Sequence, residues 1–291
     1  MREVSDITLI LAFLSDEYVA LASDRRITWI IGGARNRTED TENKAVVLCG
    51  HFLMGYTGFA RLGGVKTERW IVDTLAHVAN PSDYFRVLAA EATQAVAAMK
   101  QRRERSGHAF VAVGFAAERG APPDQKAAIG VEISNATGGG YGRWNPRPTF
   151  DITRSPPLAG PDDFKLNAQG IVPPRKRLEE AIDVIRRYRK RDRSRIVGVA
   201  QVLVGLIRSV TDDRVGKDIS VSVLPRNAVP ASEVSLPFGG LKDPVDELTC
   251  IFIPEDRDAN SAIAYSPATV CPGMAAFGGE VWDRQPPWWK N

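Results

Sequence analysis

Thr8-Leu9-Ile10-Leu11-Ala12-Phe13 and, after a charged break, Val19-Ala20-Leu21-Ala22-Ser23-Asp24-Arg25-Arg26 carry the most weight for the architecture of this chain. Within them residues 8–13 and 18–23 are short, rich in Leu, Ala, Val and Phe, and bounded by charged residues, the pattern of strands packed on at least one face. Residues 45–49 and 52–57 read the same way. Polar groups stand near the ends of these runs: the Thr8 hydroxyl, the Asp24 carboxylate, the Lys44 amine and, in Tyr56-Thr57-Gly58, a flexible backbone donor. A hydroxyl, a carboxylate, an amine and a backbone N–H are the inventory of a nucleophilic site.

Further along, apolar residues recur at helical spacing from Val65 to Ala79 (Trp70, Ile71, Leu75, Val78), and Asn80-Pro81 stops that helix. Pro81-Ser82-Asp83 opens a second helix running through Leu88, Ala92, Val96 and Met99 to Arg102-Arg103-Glu104-Arg105, where cations suit the helix dipole. Strands are expected at 108–115 and 127–133, helices over about 177–190 and 194–210, and a strand at 219–224. Strand pairs, two helices, strand pairs and two helices match two stacked sheets with a helical layer outside each. Residues 135–163, with Gly138-Gly139-Gly140 and Ser155-Pro156-Pro157, read as a long loop or hairpin insertion. Beyond Pro225 come a strand near 248–253, another around 262–265, and the end Pro286-Pro287-Trp288-Trp289-Lys290.

A threonine hydroxyl is a weak nucleophile until a base takes its proton, and the oxyanion it generates needs donors already in place. A threonine that becomes the first residue of its chain supplies that base itself, because its free amine titrates at about 7.7 to 8.0. A nearby lysine lowers the amine's pKa and steadies the hydroxyl's developing charge, and an aspartate holds that lysine in position.

At this point the chain resembles the proteasome β-subunit family of N-terminal-nucleophile hydrolases, which includes the bacterial proteasome-like proteases. Thr8 to Phe13 and Val19 to Arg26 look like the family's opening Thr-Thr-Thr-Leu-Ala-Phe and Ala-Ala-Asp-Ser-Arg. Asn43-Lys44-Ala-Val-Val-Leu and Phe52-Leu-Met-Gly-Tyr-Thr-Gly58 look like its lysine strand and the glycine-containing turn that opens the first helix. Asp212 to Gly216, then Asp218 to Val223, are similar to its late Asp-x-x-Ser-Gly-Gly turn and the following strand. The resemblance covers residues 8–225 and implies an α+β four-layer αββα sandwich of two stacked, mainly antiparallel sheets flanked by helices. It makes residues 1–7 a propeptide, and the tail 226–291, beyond its reach, reads as a C-terminal extension packing on the domain or on a partner subunit. It implies a threonine-type peptide or amide hydrolase with Thr8 as nucleophile and base, Lys44 tuning the amine, Asp24 orienting, and the Gly58 N–H holding the oxyanion. Arg26 and Asp212 fall on supporting positions. A peptide or protein substrate, a homo-oligomeric ring or stacked assembly, and a regulatory ATPase partner follow from the same likeness. The sequence departs from the pattern at Ile7, Val215 and Lys217, and at Ala168-Gln169-Gly170 where the family has Gly-Ser-Gly before its third helix.

Composition bounds the rest. A chain of 291 residues, 44% hydrophobic, can bury a sizeable core, and a net charge of +3 gives no general argument for nucleic acid or a bilayer. Cys49, Cys250 and Cys271 are odd in number and lie among apolar residues, which fits reduced thiols in a cytoplasmic protein. No apolar stretch approaches about 18 residues, so no membrane partner is expected. No cofactor and no metal are expected, since His51, His77 and His108 show no ligand spacing with the cysteines.

Blander readings stand beside these. Thr8 is also an ordinary strand threonine, Lys44 a solvated strand-start lysine, Asp24 and Arg26 an ion pair at a turn, and Gly58 a helix-start glycine. The basic run Arg175 to Arg195 suits a phosphate-facing stripe, yet it also fits a solvated helix with Leu178, Ala181, Ile182 and Ile185 inward. A non-catalytic scaffold that keeps residues 1–7, and an acyl-transferring or ligating variant of the same chemistry, complete the alternatives.

Overall fold

The computed structural model describes residues 5–6, 8–31, 34–39, 42–99, 107–117, 126–137, 145–228, 247–257 and 262–277. Among them the fold is mixed α+β, with two large sheets and four helices. The first sheet runs β13 (Lys165–Gly170), β2 (Leu9–Leu14), β3 (Tyr18–Asp24), β14 (Ile219–Pro225), β15 (Thr249–Ile253), β16 (Ile263–Ala264). The second runs β12 (Asn145–Arg154), β11 (Lys126–Thr137), β10 (Ala109–Ala117), β7 (Phe52–Phe59), β6 (Ala45–Leu48), β17 (Ala268–Cys271), β18 (Met274–Ala276), and β1 (Ser5–Asp6) pairs with β7. Neighbours are antiparallel except β6 and β17, which are parallel. Two small hairpins, β4 (Ile27–Ile31) with β5 (Ala34–Glu39) and β8 (Arg61–Leu62) with β9 (Val65–Lys66), stand apart. The helices are α1 (Thr67–Leu75), α2 (Tyr84–Ala97), α3 (Arg175–Arg191) and α4 (Ile196–Arg208).

Strand alternation distributes the core. Leu9, Leu11 and Phe13 of β2 cluster with Ala20 and Ala22 of β3, with Val221 of β14, and with Ile185 of α3 and Leu203 and Ile207 of α4. The intervening residues Ile10, Ala12 and Leu14 cluster instead with Val47 of β6, Leu53 of β7 and Val111 and Val113 of β10, so the two sheets share an apolar interior. A third cluster joins the other side of β6, β7 and β10 to Ile71 and Leu75 of α1 and Leu88 and Ala92 of α2. Because side chains alternate with period two, β2 and β3 are buried on both faces and read as continuous apolar runs.

The expected strands and helices fall close to the observed ones, with informative differences. The first helix starts at Thr67 rather than near Val65, because Gly63 and Gly64 turn residues 61–66 into the β8–β9 hairpin. Residues 165–170 form the edge strand β13, where a turn before the third helix was expected; its few apolar positions hid it. The insertion at 135–163 contributes the outer strand β12, paired with β11. Residues 247–277 add strands to both sheets, so that part of the C-terminal segment packs on its own chain. The cationic helix end at Arg102 to Arg105, the Gly138 to Gly140 run and the terminal tryptophans lie outside the described residues.

The α3 cations meet carboxylates one turn away: Arg175 with Glu179 at 2.7 Å, Arg177 with Glu180 at 3.1 Å, and Arg186 with Asp183 at 2.9 Å. Buried Arg189 pairs with Glu17 at 3.0 Å over the rings of Phe13 and Phe164. No described helix is long and apolar enough to cross a membrane.

Glu68, in the first turn of α1, is a pH-sensitive point. Burial, then the charge of Glu42, push its carboxyl up to about 7, with Lys66 and the Ala268 N–H opposing. The folded state binds this proton more tightly than the unfolded chain, so the stability it contributes is full below about pH 4.5 and is lost as pH rises through about 7. Glu68→Gln should therefore raise the melting temperature relative to wild type at about pH 8 and leave it little changed at about pH 4. Parallel melting profiles for the two proteins across that range would contradict the assignment.

Candidate active site

The tight β2–β3 hairpin assembles the first half of the site. Ser15 Oγ and Ser15 N both donate to the Tyr18 carbonyl, at 2.8 and 3.1 Å, and fix the turn at Asp16-Glu17. The register that follows, Leu14 opposite Val19 and Ile10 opposite Ser23, brings Asp24 opposite Leu9, one residue from Thr8. A one-residue slip would send Asp24 to the other face. The Thr8 hydroxyl donates to Asp24 Oδ1 at 2.5 Å, and the Leu9 N–H donates to the same oxygen at 2.9 Å. The Arg26 and Gly216 N–H groups donate to Asp24 Oδ2 at 3.1 and 3.2 Å.

The second half comes from the other sheet. Lys44 stands immediately before β6 and reaches across the space between the sheets. Its ammonium donates to Thr8 Oγ1 and, at 2.7 Å, to the Arg26 carbonyl, and lies 3.5 Å from Asp24 Oδ2. Thr8, Asp24 and Lys44 are each fully buried. The structure thus brings these three together and places Arg26 beside them through its backbone, while the Arg26 guanidinium donates to the Asp213 carbonyl at 2.7 Å.

Asp212 stands one step removed. Its carboxylate accepts from the Arg214 backbone N–H at 2.9 Å and from the Arg214 guanidinium at 2.8 and 2.5 Å. With the Val215 N–H donating to its carbonyl at 3.0 Å, Asp212 shapes the turn that delivers the Gly216 N–H to Asp24.

Gly58 lies inside strand β7, not at a helix-opening turn as expected; α1 begins nine residues later, at Thr67. Its φ of +111° is open to glycine and strained for other residues, and a Cβ there would stand 1.9 Å from His108 Nδ1. Asp6 of β1 pairs with Gly58, and Thr57 Oγ1 donates to the Thr8 carbonyl at 3.4 Å, so Asp6 and Thr8 both meet β7. Ile7, and with it the Ile7–Thr8 bond, lies outside the described residues. Burial holds the His108 imidazole down to about 3, so this ring against Gly58 is neutral across the working range.

Sequence reasoning missed three contributors. Gly170 closes β13 at φ +95°, with the Thr8 carbonyl where its Cβ would be, and the Ile171 N–H donates to that carbonyl at 3.1 Å. Gly216, read from the sequence only as part of the Asp212 to Gly216 turn, supplies a backbone donor to Asp24. Arg25, buried beside Asp24, stacks 4.1 Å from the Phe252 ring centre, and its carbonyl accepts from the Glu42 N–H at 3.1 Å. Only the break from an apolar run into two arginines signalled it. Among the described residues no group of three His, Cys, Asp or Glu side chains could hold a metal ion.

The arrangement can do one kind of chemistry well. A hydroxyl whose proton points at a carboxylate, with an ammonium on its oxygen, is set to lose that proton and attack an electrophile. Compared with family models and with the curated proteins, the chain matches none.

Gly170→Ala should cost at least about 2 kcal/mol, since it adds a disfavoured φ to a methyl overlapping the Thr8 carbonyl. For a chain of this size that is a drop of about 4 °C or more in melting temperature. Calorimetry showing no change would mean that β13 does not hold Thr8 as described.

Proposed function

We propose that the protein is a threonine-type amide or peptide hydrolase of the proteasome-like N-terminal-nucleophile class, and that its two sheets and flanking helices form a four-layer αββα sandwich. The observation that carries this reading is the Thr8 hydroxyl held between Asp24 and Lys44. Three apolar clusters, one between the sheets and one under each helix pair, support the layered architecture.

In the uncut chain the Thr8 nitrogen is an amide and cannot serve as a base. Asp24 is the acceptor for the hydroxyl proton, and Lys44 stabilises the developing alkoxide. Attack of Oγ1 on the preceding carbonyl transfers residues 1–7 to the hydroxyl as an ester. Water then hydrolyses that ester and leaves Thr8 with a free amine. In turnover this amine takes the hydroxyl proton, Oγ1 attacks the substrate carbonyl, and the Gly58 N–H holds the oxyanion. The tetrahedral intermediate collapses as the amine returns the proton to the leaving nitrogen, and water cleaves the acyl-enzyme. Complete burial of Thr8 in the uncut chain agrees with a site that opens only after this processing. A second amine in place of water would make the same site a transferase or ligase.

Intact-mass measurement of purified protein should show loss of the first seven residues, and Thr8→Ala should stay full length. The processed wild type should be labelled on Thr8 by an electrophile directed at amino-terminal threonines. Lys44→Met and Asp24→Asn should each lower the labelling rate by about 10³-fold or more, because members of a catalytic unit act together. A wild type that remains full length and unlabelled would leave the scaffold reading in its place.

A further inference from the structure

Two of the three cysteines meet at one end of the second sheet, away from the Thr8 site and unused by the chemistry proposed for it. Strand β17 runs parallel to β6 with Ala268 opposite Val46 and Val270 opposite Leu48, so the next pair along is Cys271 opposite Cys49. The Cys49 N–H donates to the Val270 carbonyl at 2.8 Å, which carries the pairing to Cys49 itself. Each cysteine sits at the end of a hairpin, Cys49 in its turn and Cys271 as the last residue of β17. Cys49 and Gly50, at φ +51° and +65°, occupy the turn between β6 and β7, closed by the His51 N–H on the Leu48 carbonyl at 2.9 Å. Cys271 opens the turn between β17 and β18, where it pairs with Met274. The Cys271 thiol interacts with both the thiol and the backbone N–H of Cys49. Both are free thiols and partly exposed, whereas Cys250 is buried.

Strands paired in register stand about 4.8 Å apart, inside the Cα separation of about 4.4 to 6.8 Å that a disulfide spans without backbone movement. From this placement we propose that Cys49 and Cys271 are a modification site: a vicinal dithiol that a low-molecular-weight disulfide converts into an internal disulfide joining the β6–β7 turn to the β17–β18 turn. The inference does not depend on the hydrolase reading.

The two thiols have different tasks. The Cys49 sulfur lies 3.6 Å from the Tyr84 hydroxyl. Burial raises the Tyr84 phenol well above its ordinary value, so it stays protonated and can donate to a Cys49 thiolate. Burial, followed by the charge of Cys49, pushes Cys271 up to about 11. The Tyr84 hydroxyl at its sulfur suits Cys49 to attack first. Its thiolate forms a bond to one sulfur of glutathione disulfide, the glutathione S–S bond breaks, and one glutathione leaves. Capping Cys49 removes its charge, which eases ionisation of Cys271. The Cys271 thiolate then attacks the Cys49 sulfur and expels the second glutathione. Two cysteine thiols are oxidised, one glutathione disulfide is reduced to two thiols, and the two cysteine protons end on the two glutathiones. Burial pushes Cys250 up to about 12, which keeps it out of the exchange.

The test uses the full chain incubated with glutathione disulfide, then denatured, alkylated and weighed, with a digest to locate any link. Wild type should lose two hydrogens, keep one alkylatable thiol at Cys250, and yield a Cys49–Cys271 linked peptide. Cys271→Ser should accumulate one glutathionyl group on Cys49, and neither Cys271→Ser nor Cys49→Ser should form an internal link. Melting profiles matching reduced wild type would establish that both variants are folded. A wild type that keeps all three thiols under conditions where Cys271→Ser is glutathionylated would overturn the proposal. So would a wild type that stops at the mixed disulfide, or a link that involves Cys250 or a second chain.

Discussion

The Asp24 carboxylate is the joint on which the rest of the structure bears. Its two oxygens collect the Thr8 hydroxyl and three backbone N–H groups, from Leu9, Arg26 and Gly216, and the Lys44 ammonium lies 3.5 Å away. These donors come from four separate stretches of chain: the start of β2, the exit of β3, the turn before β14 and the lead into β6. Burying an ammonium and a carboxylate costs several kcal/mol each before their attraction and hydrogen bonds offset it. Every lone pair and proton in such a cluster therefore needs a partner, and this carboxylate has one on each side.

That demand explains features that look unrelated in the chain. The two-residue turn at Asp16-Glu17 sets a register that brings Asp24 opposite Leu9, next to Thr8. The Asp212 turn delivers Gly216 at the right depth. Glycine at 170 lets β13 approach the Thr8 carbonyl more closely than any side chain would allow. A buried ion pair is weak as a stabilising device, and apolar residues of similar volume commonly hold a fold as well. Its presence at the junction of two sheets, on the oxygen of a threonine, is the feature on which the proposed hydrolase reading rests.

The second sheet joins two regions that are far apart in sequence. β17 lies against β6 with parallel register, and β6 is the strand that Lys44 precedes. The C-terminal segment is thus part of the support for the lysine strand, and the Cys49–Cys271 pair stands at the far end of the same two strands. Residues beyond 225 contribute β15 and β16 to the sheet that contains Asp24 as well.

Much was legible in the sequence because it depended on local pattern. Continuous apolar runs marked β2, β3, β6, β7 and β10, since strands covered on both faces show no polar alternation, and the alternation of Ile219, Val221 and Val223 with Ser220 and Ser222 marked β14. Helical spacing marked α1 to α4, and charge placement on α3 separated its wet side from Ala181 and Ile185. The candidate residues Thr8, Asp24 and Lys44 were picked out by type and order, helped by a family resemblance. Other features had no local signature. β13 is an edge strand of mixed composition whose identity comes from pairing with β2. Gly58 read as a turn glycine through the resemblance, and its place in β7 opposite Asp6 depends on strand pairing. Gly216 and Gly170 matter through backbone atoms that meet residues more than 150 positions away. The chain by itself determined which segments are strands and helices and which side chains have reactive chemistry, because those depend on periodicity and residue type. Only the tertiary structure decided that a hydroxyl, a carboxylate and an ammonium share one dry pocket, because that contact depends on register and on the distance between two sheets.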